Sequence, residues 1–216
     1  TRYVGVENEN DLESLNDFLP GILKTTTMGY DGKGQILHRD SDNVDESWAK
    51  LNTQEAVIEA VIDFDYEISI VIARDLTGQS VAYPAVKNEH KNHILSKTIA
   101  PAPITADMQK EASEMAHRLA EAVDLVGVLA LELFVTKDGK LLANEIAPRT
   151  HNSGHWTIDA CAVSQFENHV RCVCALPVGP TIAHSAAEMI NIIGDEVNDL
   201  DQYLEMEQAH IHPQHP

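Results

Sequence analysis

Hydrophobic and polar positions alternate along this chain in short runs that read as strands, separated by stretches whose apolar residues recur at helical spacing. Tyr3-Val-Gly-Val6 is the first strand-like run, and Glu9 to Phe18 predicts a helix with Leu12, Leu15 and Phe18 on one side. Gly21-Ile-Leu-Lys-Thr25 reads as a buried strand ending in a lysine, and Ile36-Leu-His38 as the strand that follows a glycine-rich turn. Val44 to Leu51 predicts a helix anchored by Trp48. Ala56 to Ile62 and Ile68 to Ala73 are apolar strands, the second opened by Glu67 and closed by a turn at Asp75-Leu-Thr-Gly78. Val81 to His90 and Ile94 to Ile99 supply further strand pieces. From Thr105 or Ala106 to about Asp124, the positions Met108, Ala112, Met115, Leu119 and Val123 form one apolar stripe, so a long scaffold helix is expected. Gly127 to Val135 and Leu141 to Ile146 predict a hairpin centred on Asp138-Gly139, a favoured two-residue turn. Ser164-Gln-Phe-Glu167 has the spacing of a capping box, for a helix running to Leu176 with Phe166, Val170, Val173 and Cys174 buried. A strand over Ala187–Ile193 and a helix over Glu196–Met206, with Val197, Leu200 and Leu204 inward, complete the pattern.

Composition narrows what such a chain can do. With 216 residues, 44% of them hydrophobic, it can bury a core as one large domain or two small ones. A formal net charge of −19 disfavours nucleic acid and anionic membranes as partners. A small anion can still bind where basic groups and backbone amides converge. Cys161, Cys172 and Cys174 are too few and too close for a disulfide framework, and buried reduced thiols are expected, with Cys172 and Cys174 on different helix faces. No apolar run approaches the roughly 20 residues that span a bilayer, and no signal-peptide pattern opens the chain; a cytoplasmic protein is the expectation. A start at Thr1 and an end at His-Pro-Gln-His-Pro216 suggest a fragment of a longer protein. For the tail histidines, His210, His212 and His215, a metal is one reading and a frayed terminus the favoured one.

Four groups of residues carry candidate chemistry. Asn144-Glu-Ile-Ala-Pro-Arg-Thr-His-Asn-Ser-Gly-His-Trp156 packs a carboxylate, a guanidinium, amides and two imidazoles into a loop suited to a polar, anionic ligand. Met28-Gly-Tyr-Asp-Gly-Lys-Gly-Gln35, preceded by Lys24, is a glycine-rich turn between strands whose backbone amides and ammonium groups suit phosphate. It is not a Walker loop, because Gly34-Gln35 leads into a strand; a hairpin flap that closes over a nucleotide fits better. Glu59 and Glu67 are acids in apolar runs, which calls for a partner, a ligand donor or exposure at a strand end. Centring the late hairpin on Asp138-Gly139 puts Glu132 directly opposite Glu145, and two like charges so placed call for a cation such as magnesium. The bland alternative is a solvated acid pair. His90 alone reads as a satisfied polar residue.

Together these residues resemble an ATP-grasp ligase. Lys24-Thr25, Gly29-Tyr-Asp-Gly-Lys-Gly-Gln35, Glu67-Ile-Ser-Ile70, Asn144 to Asp159 and Ser164-Gln-Phe-Glu-Asn-His169 are similar to the 5-(carboxyamino)imidazole ribonucleotide synthetase family over nearly the whole chain. The resemblance implies an α+β ATP-grasp fold, two subdomains with mainly antiparallel sheets enclosing a nucleotide cleft. Residues 1–60 would be the small lid subdomain, and 61–216 the large subdomain with metal site and substrate loop. It implies ATP-dependent carboxylation of 5-aminoimidazole ribonucleotide by bicarbonate, through carboxyphosphate, in purine synthesis. Lys24, Gly29, Tyr30, Asp31, Gly32, Lys33, Gly34 and Gln35 would then lie at the phosphates, with Tyr30 and Asp31 placed for the imidazole nucleotide. Glu59, Ala60, Val61 and Ile62 would line the adenine and Glu67 would meet the ribose. His90 and Asn144 would complete the nucleotide pocket. Glu132 and Glu145 would hold Mg2+, while Arg149, His151 and Asn152 would serve bicarbonate and carboxyphosphate. No protein nucleophile is required.

The sequence departs from that pattern in places. Thr26 and Thr27 stand where the family often has basic residues, and the family's N-terminal domain and C-terminal basic stretch lie outside these residues. A sister ATP-grasp ligase would share the flap and acids but should lack Asn152-Ser-Gly-His-Trp156. A non-catalytic ATP-binding module of a larger assembly is the alternative from another class, and a homodimer is one assembly open to the full-length protein.

Overall fold

A computed structural model describes residues 2–8, 11, 18–27, 34–39, 44–53 and 55–213. Most of the helix predicted over Glu9–Phe18, the flap residues Gly29, Tyr30, Asp31, Gly32 and Lys33, and His215 lie outside the described residues. The chain divides into two compact units. One comprises residues 1–65, 92–94 and 134–144, and the other residues 66–91, 95–133 and 145–216.

In the smaller unit, four strands form a sheet in the order β1-β4-β2-β3: β1 Tyr3–Val6, β2 Gly21–Thr25, β3 Gln35–His38 and β4 Ala56–Ala60. All three pairings are antiparallel. Leu23 pairs with Ile58 on one side and Ile36 on the other, and the two-residue period of a strand sends Leu23 inward while Lys24 emerges on the opposite face. Val6, Leu23, Ala56 and Ile58 meet Leu51 of helix α1 (Val44–Leu51), with Trp48 packed against them as predicted. Buried His38 shares a 2.9 Å hydrogen bond with Ser47 and so ties β3 to α1. Within the same unit Phe64 stacks on Phe134 at 4.4 Å, and Lys137 pairs with Asp63 at 2.7 Å.

The larger unit is built on β5 (Phe64–Arg74), β6 (Ser80–Ala82), β7 (Val86–Lys91), β8 (Ile94–Ala100), β9 (Gly127–Thr136), β10 (Leu141–Ala147) and β11 (Ala187–Ile190). Their order is β10-β9-β5-β7-β8-β11, with β6 also on β5, and the hairpin tip 134–144 groups with the smaller unit. Ile68 through Ala73 are all buried, so β5 is covered on both faces, as a run that is apolar but for Ser69 implies. Helix α2 (Ala106–Ala122) opens with the Thr105 side chain accepting from the Met108 amide. Its buried line is Ala112, Ala116 and Ala120, whereas Val123 of the expected stripe is 51% exposed. Small side chains every fourth residue let the helix lie close, and the Ser80 hydroxyl meets His117 at 2.7 Å.

The later helices depart further from the pattern. After α3 (Thr157–Ala160), α4 (Gln165–Val173) turns Gln165, Asn168 and Cys172 inward, leaving Val170, Val173 and Cys174 exposed. Polar residues occupy the inner face because they serve other buried polar groups: Asn168 donates to the Tyr83 hydroxyl at 2.7 Å and accepts from the Gly179 amide at 2.7 Å. Ser164 caps this helix, but Glu167 pairs with Arg171 instead of closing a box. The expected final helix is a 3-10 turn, Gly194–Asp199, followed by α5 (Leu200–Leu204), with Val197 and Leu204 exposed. The tail up to Pro213 is not frayed: His212 Nε2 meets Asp159 at 2.6 Å and His210 lies 3.8 Å from the same carboxylate. Among the described residues no helix is long and apolar enough to cross a membrane.

Leu23 is fully buried and Leu37, on the neighbouring strand, is 37% exposed. Leu23→Ala should lower unfolding free energy by about 2–5 kcal/mol and Leu37→Ala by about 0.5 kcal/mol or less, read from urea midpoints.

Candidate active site

Of the thirteen residues expected as a loop, Asn144–Ala147 belong to β10, and the segment that follows from Pro148 is held by a side chain from outside it. The His151 amide donates to Gln165 Oε1 at 3.0 Å, and Gln165 Nε2 donates to the His151 carbonyl at 2.7 Å. Gln165 is fully buried; its own amide donates to Thr157 Oγ1, and the Thr157 hydroxyl donates to the Gly154 carbonyl at 2.6 Å. A Cβ on Gly154 would sit 2.5 Å from Gln165 Oε1, so only glycine lets the loop approach its clamp. The run Ser164-Gln-Phe-Glu-Asn-His169 thus contributes a residue whose role lies in another segment, which spacing along the chain does not reveal.

Six of the candidate side chains converge in the larger unit. His151 Nε2 lies 3.3 Å from Glu132 Oε1, with the two side chains 13% and 16% exposed. His90 Nδ1 meets Glu67 Oε2 at 2.5 Å, and that hydrogen bond, opposed by burial and helped by the charges of Glu67 and Glu132, raises the imidazole's pKa. Burial first, and then the charge of Glu145, push the Glu132 carboxyl up to about 7, against the opposing charges of His90 and Arg149. Glu67, His90, Glu132, Glu145, Arg149 and His151 therefore act on one another electrostatically. Arg149 is exposed and donates to the Thr150 carbonyl, while Asn152 Oδ1 is buried without a hydrogen-bond partner among the described residues.

The hairpin that carries the two acids closes differently from expectation. The Thr136 amide donates to the Lys140 carbonyl and the Gly139 amide to the Thr136 carbonyl, with Gly139 at φ 79°. This is a three-residue loop, stabilised because the Thr136 hydroxyl bonds Asp138 and accepts from the Lys140 amide. At the turn the partners are Thr136 and Lys140, so the count that set Glu132 directly opposite Glu145 is one residue off there. The charge of Glu145 nonetheless reaches Glu132. Among the described residues, no group of three or more His, Cys, Asp or Glu forms a self-sufficient metal site.

In the smaller unit, Lys24 Nζ pairs with Glu59 Oε2 at 2.7 Å, both half-buried, and the Thr25 amide donates to the Gly34 carbonyl at the base of the glycine turn. Gln35 pairs with Lys24 across β2–β3. Ala60 ends β4, Val61 is 45% exposed, and Ile62 follows; Asn144 lies on β10, half-buried.

The sequence model of the ATP-grasp domain matches residues 1–166. The chain belongs to the ATP-grasp family. A curated relative, the N5-carboxyaminoimidazole ribonucleotide synthase of Bacillus subtilis, is 40% identical over 94% of this chain and 54% of its own length. Two crystal structures of the Aspergillus clavatus carboxyaminoimidazole ribonucleotide synthase are similar in fold. The complex with ATP matches with TM-score 0.88 and 28% identity, over 95% of this chain and 57% of that one. The complex with ADP and 5-aminoimidazole ribonucleotide matches with TM-score 0.85 and 27% identity, over 94% and 56%. This ATP-grasp chain spans about half the length of the bacterial synthase it matches.

Glu132 also sets a pH dependence. A folded-state value near 7 against an ordinary 4.5 means the fold favours the protonated carboxyl, so its stabilising share is full below 4.5 and lost as pH rises through about 7. Without metal or nucleotide, the stability difference between the parent chain and Glu132→Gln should change across pH 4.5 to 7 and be flat above it, measured by urea unfolding.

Proposed function

We propose that this chain is the nucleotide- and bicarbonate-handling part of an N5-carboxyaminoimidazole ribonucleotide synthase. It would join bicarbonate to the amine of 5-aminoimidazole ribonucleotide at the expense of ATP, in purine biosynthesis. The observation that carries this reading is the Glu132 carboxyl, held in a largely buried position beside the charge of Glu145 and against His151. An acid so placed calls for a cation that arrives with the ligand.

The donor set fits magnesium. Hard divalent ions of this size take one or two carboxylates and complete their shell with water and substrate phosphates, which suits two acids that do not enclose a metal by themselves. Glu132 and Glu145 would hold it, and Mg2+ supplies charge neutralisation at the phosphoryl group being transferred. Lys24, Gly34, Gln35 and the flap Gly29–Lys33 would bind the phosphates, with Tyr30 and Asp31 facing the imidazole nucleotide. Glu59, Ala60, Val61 and Ile62 would line the adenine. Glu67 would take the ribose, oriented by its hydrogen bond to His90, and Asn144 would close the pocket.

Arg149, His151 and Asn152 would receive the second substrate. Arg149 is exposed with guanidinium donors to spare for bicarbonate and for carboxyphosphate after the γ-phosphoryl group moves onto it. The orphaned Asn152 Oδ1 suits a ligand bearing a hydrogen, such as the hydroxyl of bicarbonate. Residues 1–60 would act as the lid and 61–216 as the catalytic body. Three free cysteines are in keeping with a cytoplasmic setting, and a homodimer is the assembly to test by light scattering of the full-length protein.

Phosphate release by the full-length protein with ATP, bicarbonate and 5-aminoimidazole ribonucleotide, each omitted in turn, tests the reaction; release should require ATP and bicarbonate. Saturable ATP binding with no bicarbonate-dependent release would instead favour a non-catalytic module. Glu132→Gln and Glu145→Gln should each weaken Mg2+-dependent ATP binding on the order of 10- to 100-fold, read by calorimetry.

A further inference from the structure

Behind His151 lies a row of buried polar side chains that the proposed chemistry does not use. Thr98, Ser69 and Ser153 are fully buried and Asn88 is 4% exposed. They connect in sequence: Thr98 Oγ1 to Asn88 Oδ1 at 2.9 Å, Asn88 Nδ2 to Ser69 Oγ at 2.9 Å, Ser69 Oγ to Ser153 Oγ at 2.7 Å, and Ser153 Oγ to His151 Nδ1 at 2.8 Å. Each hydroxyl has one proton, so such a chain can run in either direction unless one member is fixed.

The fixed member is a backbone amide. The Ser153 N–H points at His151 Nδ1 at 3.3 Å, and an amide cannot reverse its donor role. Nδ1 therefore presents its lone pair. The Ser153 hydroxyl must then give its proton to Nδ1 and accept from Ser69; Ser69 in turn accepts from the Asn88 amide; Asn88 Oδ1 accepts from Thr98. Every hydroxyl proton in the row is accounted for by this one direction. The remaining imidazole proton belongs on Nε2, the nitrogen that faces Glu132 Oε1 at 3.3 Å.

We infer that the Ser153 amide and the one-way row Thr98, Asn88, Ser69 and Ser153 together hold neutral His151 as its Nε2–H tautomer, a donor toward the ligand site. These four are positioning residues. Resting on the reaction proposed above, the consequence is that His151 holds an anionic oxygen of bicarbonate or carboxyphosphate through Nε2–H. It does not serve as the base that takes the bicarbonate proton, because the nitrogen facing the site already carries one.

Nitrogen-15 spectra of the histidine-labelled chain distinguish a protonated ring nitrogen from a bare one, and need neither ATP nor substrate. The His151 signals are assigned by their loss in His151→Gln, and spectra are recorded at about pH 9, well above the ~6.5 of an ordinary imidazole. The parent chain should show His151 with Nε2 protonated and Nδ1 bare. Ser69→Ala breaks the row and should raise the share of the Nδ1–H form by roughly five- to tenfold, while Ser69→Thr, which keeps the hydroxyl, should restore the parent ratio. A protonated Nδ1 in the parent chain, or an unchanged ratio in folded Ser69→Ala, overturns the inference. Failure of bicarbonate-dependent phosphate release with the expected tautomer in place would sink the reaction alone.

Discussion

A buried polar group must find a partner, and the loop between β10 and α4 obeys that constraint through one side chain. Gln165 has both a donor and an acceptor at its tip, and it uses them on the amide and carbonyl of a single residue, His151. The net worth of each such bond is about 1 kcal/mol, but leaving the same groups buried and unpaired costs more. Thr157 and Gly154 complete the arrangement, the first by bridging Gln165 to the loop and the second by having no side chain. A glutamine in the first turn of a helix thereby positions an imidazole fourteen residues earlier.

Around that fixed imidazole the electrostatics are left unbalanced. Burial and the neighbouring charge of Glu145 both disfavour ionised Glu132, while His90 and Arg149 offset them in part. Stability is given up at one carboxyl, and on the proposed function a cation brought by the ligand would have somewhere favourable to go. His90 and Glu67, by contrast, satisfy each other.

Much of this was legible in the sequence, and the failures have physical reasons. Largely apolar strand segments, such as Gly21–Thr25 and Ile68–Ala73, are readable because one burial rule governs nearly the whole segment. The glycine turn, the acids and the Asn144–Asp159 signature could be recognised as the parts of an ATP-grasp domain. The α4 stripe was misread because Gln165 and Asn168 are polar yet inward, which follows from backbone partners far away in sequence. The hairpin register shifted because Asp-Gly supports a three-residue loop as readily as a two-residue one, and the deciding group was the Thr136 hydroxyl. The row behind His151 left no signal at all: Ser69, Asn88, Thr98 and Ser153 belong to four separate segments and look like ordinary strand and loop polar residues.

The pairing of Lys24 with Glu59 bears on selectivity. An ammonium already countered by a carboxylate 2.7 Å away exerts little pull on a bare inorganic anion drifting past. To win that lysine, a visitor must compensate Glu59 as well, for instance with hydrogen-bond donors on a base attached to the same molecule. If Lys24 and Glu59 meet a nucleotide as proposed, charge and nucleobase would be read jointly, and phosphate or sulfate, however abundant, would make a poor competitor.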